Sequence, residues 1–407
     1  MSAPLSLLDE LATVPDPRDR KGRRHPLSAI LGLTVLAMLT GCKSYTAVAQ
    51  FGRDKGIGLA HALGFRRRKT PAKSLLSTLF RRLDVTAFEA ALSRWILSRL
   101  GTPDELHVCI DGKAARGSKD GDIPGHHLVA AYAPAVQAVL AQLRVDAKTN
   151  EHKAALELLG ILPVKGCIFT GDAAFCQRDI CEKIVDGGGD YVLFVKDNQR
   201  SLAIDIAAGL AFEDQSGGKQ PPFPPYREAP APAGSVASSL DKGHGRIEKR
   251  TIRLTTILTK YPLWKGLKQG FQLTRERTEK GVTTVQEVSG ITSLPRERAD
   301  AQRLLDLTRE HWGIENGSHY RRDETLGEDK SRVRKGAAPE VMAGLRNSII
   351  HLVKDVAPSL AAAIRRLGNC LTEAMEFSES LSLNNRTALG AKGRAAETAV
   401  DLKKRFR

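Results

Sequence analysis

Two aspartates each follow a short apolar run and each sit beside a glycine: Leu106 to Ile110 leads into Asp111-Gly112, and Gly166 to Thr170 leads into Gly171-Asp172. At the carboxyl ends of strands, side chains leave the core and meet ligands, and a neighbouring glycine leaves backbone room for one. An aspartate there is placed to hold a hard cation. Each alone also fits an Asp-Gly turn or a helix cap. Phosphodiester chemistry asks for more, because charge develops on the attacking and leaving oxygens, and two Mg²⁺ ions stabilise both. A third acidic residue must then converge on the pair. The best candidate is Glu315, because Thr308, His311, Glu315, His319 and Arg322 recur at spacings of three and four residues. On a continuous helix they line one face, offering a carboxylate for metal and cations for phosphate oxygens. A solvated helix with i,i+4 pairs is the plain alternative. Asp146, Asp179, Asp197, Glu310, Asp323, Glu324 and Glu328 compete as ligands, although Asp197 reads better within a loop that shapes the pocket.

The rest of the composition says what such a site would act on. The 407 residues are 42% hydrophobic and 27% charged, which excludes a disordered chain or a disulfide scaffold. The net charge of +16 points to a polyanionic partner, nucleic acid above all. Residues 1–100 carry 17 Lys and Arg against 7 Asp and Glu, so most of that excess lies in the first quarter. Arg20 to Arg24 and Arg66 to Lys69 are its basic runs. The six cysteines lack CxxC spacing and no signal-peptide pattern opens the chain, so a reducing cytoplasm is expected. Cys176 and Cys181 lack a second ligand pair for zinc and read as plain thiols. Pro26 to Cys42 is apolar but short for a bilayer span, and reads as a buried helix. Trp264 and Trp312 read as core residues, with stacking on an unpaired base as the alternative.

The elements that must position the carboxylates follow from periodicity. Helical spacing recurs in Leu5 to Leu11, Leu27 to Leu39, Tyr45 to Phe51, Ser74 to Leu83 and Thr86 to Leu100, making a basic helical domain over residues 1–101. Over 102–208 the pattern becomes three strands, then helix, strand, helix, strand, which is a mixed α/β sheet. Gly209 to Gly245, with six prolines, reads as a long loop, and strand-like segments resume from Arg246 to Thr292. Residues 209–297 are therefore expected to be a β-rich insertion, 298–336 to hold the Glu315 helix, and 337–407 to form C-terminal helices.

Four motifs in order carry a resemblance: Ile110-Asp111-Gly112-Lys113-Ala114-Ala115-Arg116-Gly117, Gly171-Asp172-Ala173-Ala174-Phe175-Cys176-Gln177, Asp190 to Gln199, and His311-Trp312-Gly313-Ile314-Glu315-Asn316. Together with Val14-Pro15-Asp16-Pro17-Arg18 and Gly22 to Leu27, they resemble the DDE transposases of bacterial insertion sequences, H-repeat-associated branch. The likeness runs to about residue 350. It implies an RNase H-like core with an inserted β region, in which Asp111, Asp172 and Glu315 are catalytic and hold two Mg²⁺ ions, with Mn²⁺ as a substitute. It also implies double-stranded DNA as partner, element ends and target alike, and a homodimer when DNA is bound. Lys113, Arg116, Lys196, Asn198, Arg246, His311 and Arg322 are the expected DNA contacts. Related transposases carry Tyr, Arg, Glu and Lys at spacings of three, four and seven. Here Thr308, His311, Glu315 and Arg322 stand there, so the glutamate and the last cation are kept and the first two depart. The expected activity is cleavage at terminal inverted repeats and joining of the freed 3′-hydroxyls to target DNA, in a nucleoid-associated cytoplasmic protein without a membrane segment. The alternatives are a nuclease without strand transfer and a protein that only binds DNA.

Overall fold

A computed structural model describes residues 5–100, 104–145, 150–216, 235–243, 245–260, 263–370 and 373–374. The chain opens with helices α1 (Leu7–Ala12), α2 (Leu27–Leu39), α3 (Tyr45–Asp54), α4 (Gly56–Ala62), α5 (Lys73–Arg82) and α6 (Val85–Leu100). Strands β1 (Leu106–Ala114), β2 (His127–Ala133) and β3 (Ala138–Val145) follow. They lead into α7 (Glu151–Ile161), β4 (Cys167–Gly171), α8 (Arg178–Asp186), β5 (Asp190–Val195) and α9 (Arg200–Ser216). Next come β6 (Val236–Gly243), β7 (Arg246–Thr255), β8 (Gln269–Glu279) and β9 (Val282–Thr292), then α10 (Ala301–His311), α11 (Ala338–Leu352) and α12 (Leu360–Asn369).

The described residues form two compact units that interleave along the chain. One is helical and draws on 1–101, 116–125 and 321–407. Its centre is α2, buried along nearly its whole length, because α1, α3, α11 and α12 surround it. That is why the run from Leu27 to Leu39 is apolar on every face instead of striped. Among the described residues no helix is long and apolar enough to cross a membrane.

The other unit, 102–115 and 126–320, is built on one sheet of nine strands in the order β3-β2-β1-β4-β5-β9-β8-β7-β6. Strands β1, β4 and β5 run parallel, while β2 and β3 run antiparallel beside β1. Three antiparallel strands followed by two parallel ones, with α7 and α8 in the crossovers, is the RNase H-like arrangement. The β-rich segment does not stand apart from it. Strand β9 pairs antiparallel with β5 through Val192↔Thr292 to Val195↔Ser289, so β6 to β9 lengthen the same sheet. Ile168, Phe194, Ile252, Phe271, Leu304 and Leu307 share one core, which seats α10 across both halves.

Two expectations change here. The loop read from Gly209 to Gly245 begins later and ends earlier, since α9 runs through Gly209 to Ser216 and β6 starts at Val236. Gly209 is kept small because a Cβ there would press on the Thr255 side chain of β7. The prolines from Pro221 to Pro232 lie outside the described residues. The helical domain also has an extra helix, α4, whose Gly56 and Gly58 hide it from propensity.

Candidate active site

The site begins with a mismatch of strand lengths. β1 pairs with β4 only from Leu106↔Cys167 to Ile110↔Gly171, whereas it continues beside β2 to Ala114. Asp111 is thus not the end of a strand, as its sequence suggests. It lies within β1, opposite Ala130, at the point where its β4 neighbour has stopped. Asp172 is the next residue of that neighbour. Adjacent strands lie about 4.8 Å apart, so the two carboxylates emerge side by side on the same edge.

Each is fixed by backbone N–H groups. Asp111 Oδ1 accepts from the Gly112 N–H at 2.8 Å, and Asp172 caps a short turn, accepting from the Ala174 N–H at 2.9 Å. Burial pushes the Asp111 carboxyl up to about 7, against its Gly112 hydrogen bond and with further push from Asp172, Glu315 and Glu151. Asp172 is also raised by burial and by Glu151, and Lys196 partly offsets this. His319 Nδ1 stands 3.6 Å from Asp111 Oδ2.

Glu315 arrives from α10. Asp300 caps that helix at the Arg303 N–H, and its inner face, Leu304 to His311, beds on the sheet. At Glu315 the winding loosens into a π-turn over Glu315–His319, closed by the Tyr320 N–H on the Glu315 carbonyl, and a second π-turn spans Arg321–Thr325. Such turns recur at functional sites. Gly317 is needed because a Cβ there would collide with the Tyr132 ring of β2. Asp111, Asp172 and Glu315 then line one cavity of about 230 Å³, together with Lys196, Arg275, Phe194, His311 and Trp312. A second hollow of about 700 Å³ shares Asp172 and Lys196 and adds Glu151, Asp197 and Asn198.

Carboxylate oxygens are the donors that hard divalent cations take, and a cation would relieve the crowding that raises Asp111. The donor chemistry, carboxylate oxygen alone, suits such an ion. Among the described residues no three His, Cys, Asp or Glu side chains are drawn into a finished metal cluster, so these carboxylates share a cavity and not a single point.

The loosened winding undoes the expected helix face. His311 is buried, not a phosphate contact: its Nδ1 lies 2.9 Å from the Thr170 hydroxyl, which lies 2.9 Å from His107 Nε2, while His107 Nδ1 reaches Glu310 at 2.9 Å. Burial, with His107 and Arg275, holds His311 down to about 3, so it is a neutral ring joining α10 to β1 and β4. Thr308 spends its hydroxyl on the Leu305 carbonyl. Arg322 is 0% exposed within the helical unit, bidentate to Glu328, which also binds Arg346 at 3.1 Å. It braces that unit and is closed to DNA.

The remaining expected contacts divide. Lys196 is exposed at the cavity. Asn198 donates to the Ala173 carbonyl at 2.6 Å, tying its loop to the Asp172 turn. Lys113 is buried in β1 and so unsuited to phosphate, whereas Arg116 is exposed in the helical unit. Arg246 starts β7 with an ion pair to Glu248 at 2.8 Å, away from the cavity lining. Trp264 is buried as expected. Trp312 is not: it is 42% exposed at the cavity, with the Arg275 guanidinium 4.5 Å from its ring centre. Among the competing carboxylates, Asp179 pairs with His152 at 2.7 Å and Glu328 with the two arginines; Asp146 lies outside the described residues.

Sequence reasoning missed Glu151. It opens α7 behind the Asn150 cap and takes a hydrogen bond from His127 of β2, where a Cβ on Gly112 would strike it. The glycine beside Asp111 therefore makes room for this fourth carboxylate. An acidic residue in the first turn of a well-capped helix was its only trace in sequence.

An RNase H-like sheet with aspartates at the adjoining strands β1 and β4 and a glutamate following α10 is the arrangement that the sequence resemblance implies. Residues 102–352 match the family model described as Transposase DDE domain, and residues 8–96 match the one described as DDE_Tnp_1-associated. The chain belongs to the DDE transposase family. It is similar to the putative transposase YncI of Escherichia coli O157:H7, with 31% identity over 86% of this chain and 87% of that one. The H repeat-associated putative transposase YhhI of Escherichia coli K12 is 29% identical over 86% of this chain and 90% of its own. Among solved structures, a piggyBac transposase synaptic complex with hairpin DNA aligns over 92% of this chain and 79% of that one, with a TM-score of 0.42 and 12% identity. That distance carries no residue across.

Proposed function

We propose that the protein cuts phosphodiester bonds at the terminal inverted repeats of its element and joins the freed 3′-hydroxyls to target DNA. The observation that carries this reading is the convergence of Asp111, Asp172 and Glu315 on one cavity at the point where β1 outlasts β4. In this reading Asp111, Asp172 and Glu315 would hold two Mg²⁺ ions, which when bound activate the attacking oxygen and stabilise the leaving one. The chain's own groups do the positioning. Lys196 faces the scissile phosphate with a positive charge, Trp312 backed by Arg275 offers a platform for a nucleobase beside it, and the Thr170–His311 contact fixes the helix from which Glu315 projects.

Single-turnover cleavage of a duplex carrying the element's terminal repeat, with Mg²⁺ or Mn²⁺, tests the reading. Cleavage followed by strand joining is expected. Cleavage without joining would reduce the protein to a nuclease, and binding without cleavage would leave a DNA-binding protein. Pairing of two ends implies at least a homodimer in the DNA complex, which light scattering with and without the duplex measures.

A further inference from the structure

A second cavity, of about 600 Å³, lies wholly within the helical unit, and seven Lys and Arg line it against two acidic residues, Asp120 and Glu324. Lys43 stands just before α3, and Lys73 and Arg81 come from α5. The remaining wall is the segment between Glu328 and α11. There Lys330, Arg332, Arg334 and Lys335 are exposed, while Ser331 and Val333 between them are half-buried. Among the described residues, only Arg334 of these cations has a carboxylate partner, Asp120 at 3.5 Å.

This segment is held, not loose. At its start Glu328 is locked between Arg322 and Arg346 at 0% and 2% exposure. At its end the Ala337 N–H donates to the Arg81 carbonyl at 3.2 Å, and Gly336, at φ +59°, passes so close to that carbonyl that a side chain would not fit. In the middle Gly117 touches the carbonyls of Glu328, Asp329 and Ser331, again with no room for a Cβ. Gly117 closes the Asp111 motif in sequence, yet its contact is here. The fold therefore fixes a backbone that exposes Lys330, Arg332 and Arg334 at alternate residues, with Lys335 directly after them.

Like charges brought together on a rigid frame repel, and the field they make attracts a polyanion. A single phosphate needs two or three converging donors. A row of cations facing two further lysines instead suits successive phosphates along a strand.

We infer that this cavity grips the phosphate backbone of duplex DNA, outside the carboxylate site. The inference rests on the reading of the protein as one that acts on DNA, and it assigns that binding to Lys330, Arg332 and Lys335 with Lys43 and Lys73.

The test uses the full-length protein, a random-sequence labelled duplex and anisotropy titrations over a range of salt. Two variants attack different walls: K330Q/R332Q/K335Q and K43Q/K73Q. Both should melt like the wild type, bind at least about tenfold more weakly, and lose about 0.9 from the salt slope for each phosphate contact removed. Wild-type affinity and slope in both variants would overturn the assignment and leave the transposase reading intact. If the wild type itself fails to bind duplex, both fall. A second arm titrates inorganic phosphate: variants that lose a saturable phosphate site while their DNA binding is unchanged would show a free-anion site and refute the DNA assignment.

Discussion

Asp111 and Asp172 stand next to each other because Ile110 and Gly171, one residue earlier on parallel strands, are the last pair that β1 and β4 share. Their proximity is a consequence of register, so it needs no loop to bring them together. It also has a cost, since burial and three neighbouring carboxylates hold the Asp111 proton on to about pH 7.

That cost sets a pH dependence. The folded state binds the Asp111 proton more tightly than the unfolded chain, whose aspartates titrate near 3.9. Between about pH 4 and 7 the native state thus carries more protons, and this group makes stability fall as pH rises. In a chelating buffer D111N should be more stable than the wild type at pH 8, by up to about 4 kcal/mol, with the gain vanishing toward pH 4. Denaturant melts of both proteins across that range check it; a D111N variant less stable at pH 8 would contradict the origin given for the shift.

Divalent cations should relieve the same strain. Mg²⁺ or Mn²⁺ is expected to raise the melting temperature of the wild type in a concentration-dependent way, and EDTA to reverse it. D111N/D172N should show no such rise. An equal rise in the double variant would place the ion elsewhere.

His311 works in the opposite direction. Its folded-state value of about 3 lies below the ordinary histidine range, so the unfolded chain takes up a proton first as pH falls. Stability from this group is complete above about pH 6.5 and drains away on acidification. H311Q should flatten the acid limb of a stability-versus-pH curve while lowering stability at pH 7. An acid limb unchanged in H311Q would mean that the ring is not the buried neutral group described.

Much of this was legible in sequence. The segments that lead to Asp111 and Asp172 are mostly apolar, interrupted only by His107 and Thr170, and such runs mark parallel strands buried on both faces. The helices of the first hundred residues follow from spacing. What failed to read were features set by neighbours in space. A continuous α-helix from Thr308 to Arg322 was expected, but the winding loosens into π-turns over Glu315–His319 and Arg321–Thr325, and Arg322 is spent on Glu328. Nothing in the residue types announces that change. The partner of Gly112 was invisible for the same reason, since Glu151 lies a strand pair and a turn away along the chain. Strand β6, with alternating exposure and Ser238, Ser239 and Asp241, has the composition of a loop, and only its pairing with β7 makes it a strand.

The glycine beside Asp111 offers a direct check on packing. In G112A the new Cβ would collide with Glu151 and His127, and overpacking of this kind costs about 1–3 kcal/mol. E151A should recover part of that loss in the double variant, because it empties the space. Chemical denaturation of the four proteins in a double-mutant cycle gives the coupling. Strict additivity would refute the contact.

Glu328 is a buried carboxylate shared by two buried arginines. Its side chain is 3% exposed and faces Arg322 and Arg346, so E328Q leaves two buried guanidinium groups short of a counter-charge. The expected loss is about 3–5 kcal/mol, read from urea melts. A loss below about 1 kcal/mol, the range of surface pairs, would contradict the burial.

The central claim is that Asp111, Asp172 and Glu315 perform the chemistry on DNA that other parts of the chain hold. The most direct measurement is single-turnover cleavage of a terminal-repeat duplex in Mg²⁺ by D111N, D172N and E315Q, with anisotropy binding of the same duplex measured alongside. Cleavage should disappear in all three while binding to DNA stays within a few-fold of the wild type. Cleavage that persists in D111N or D172N would contradict the account.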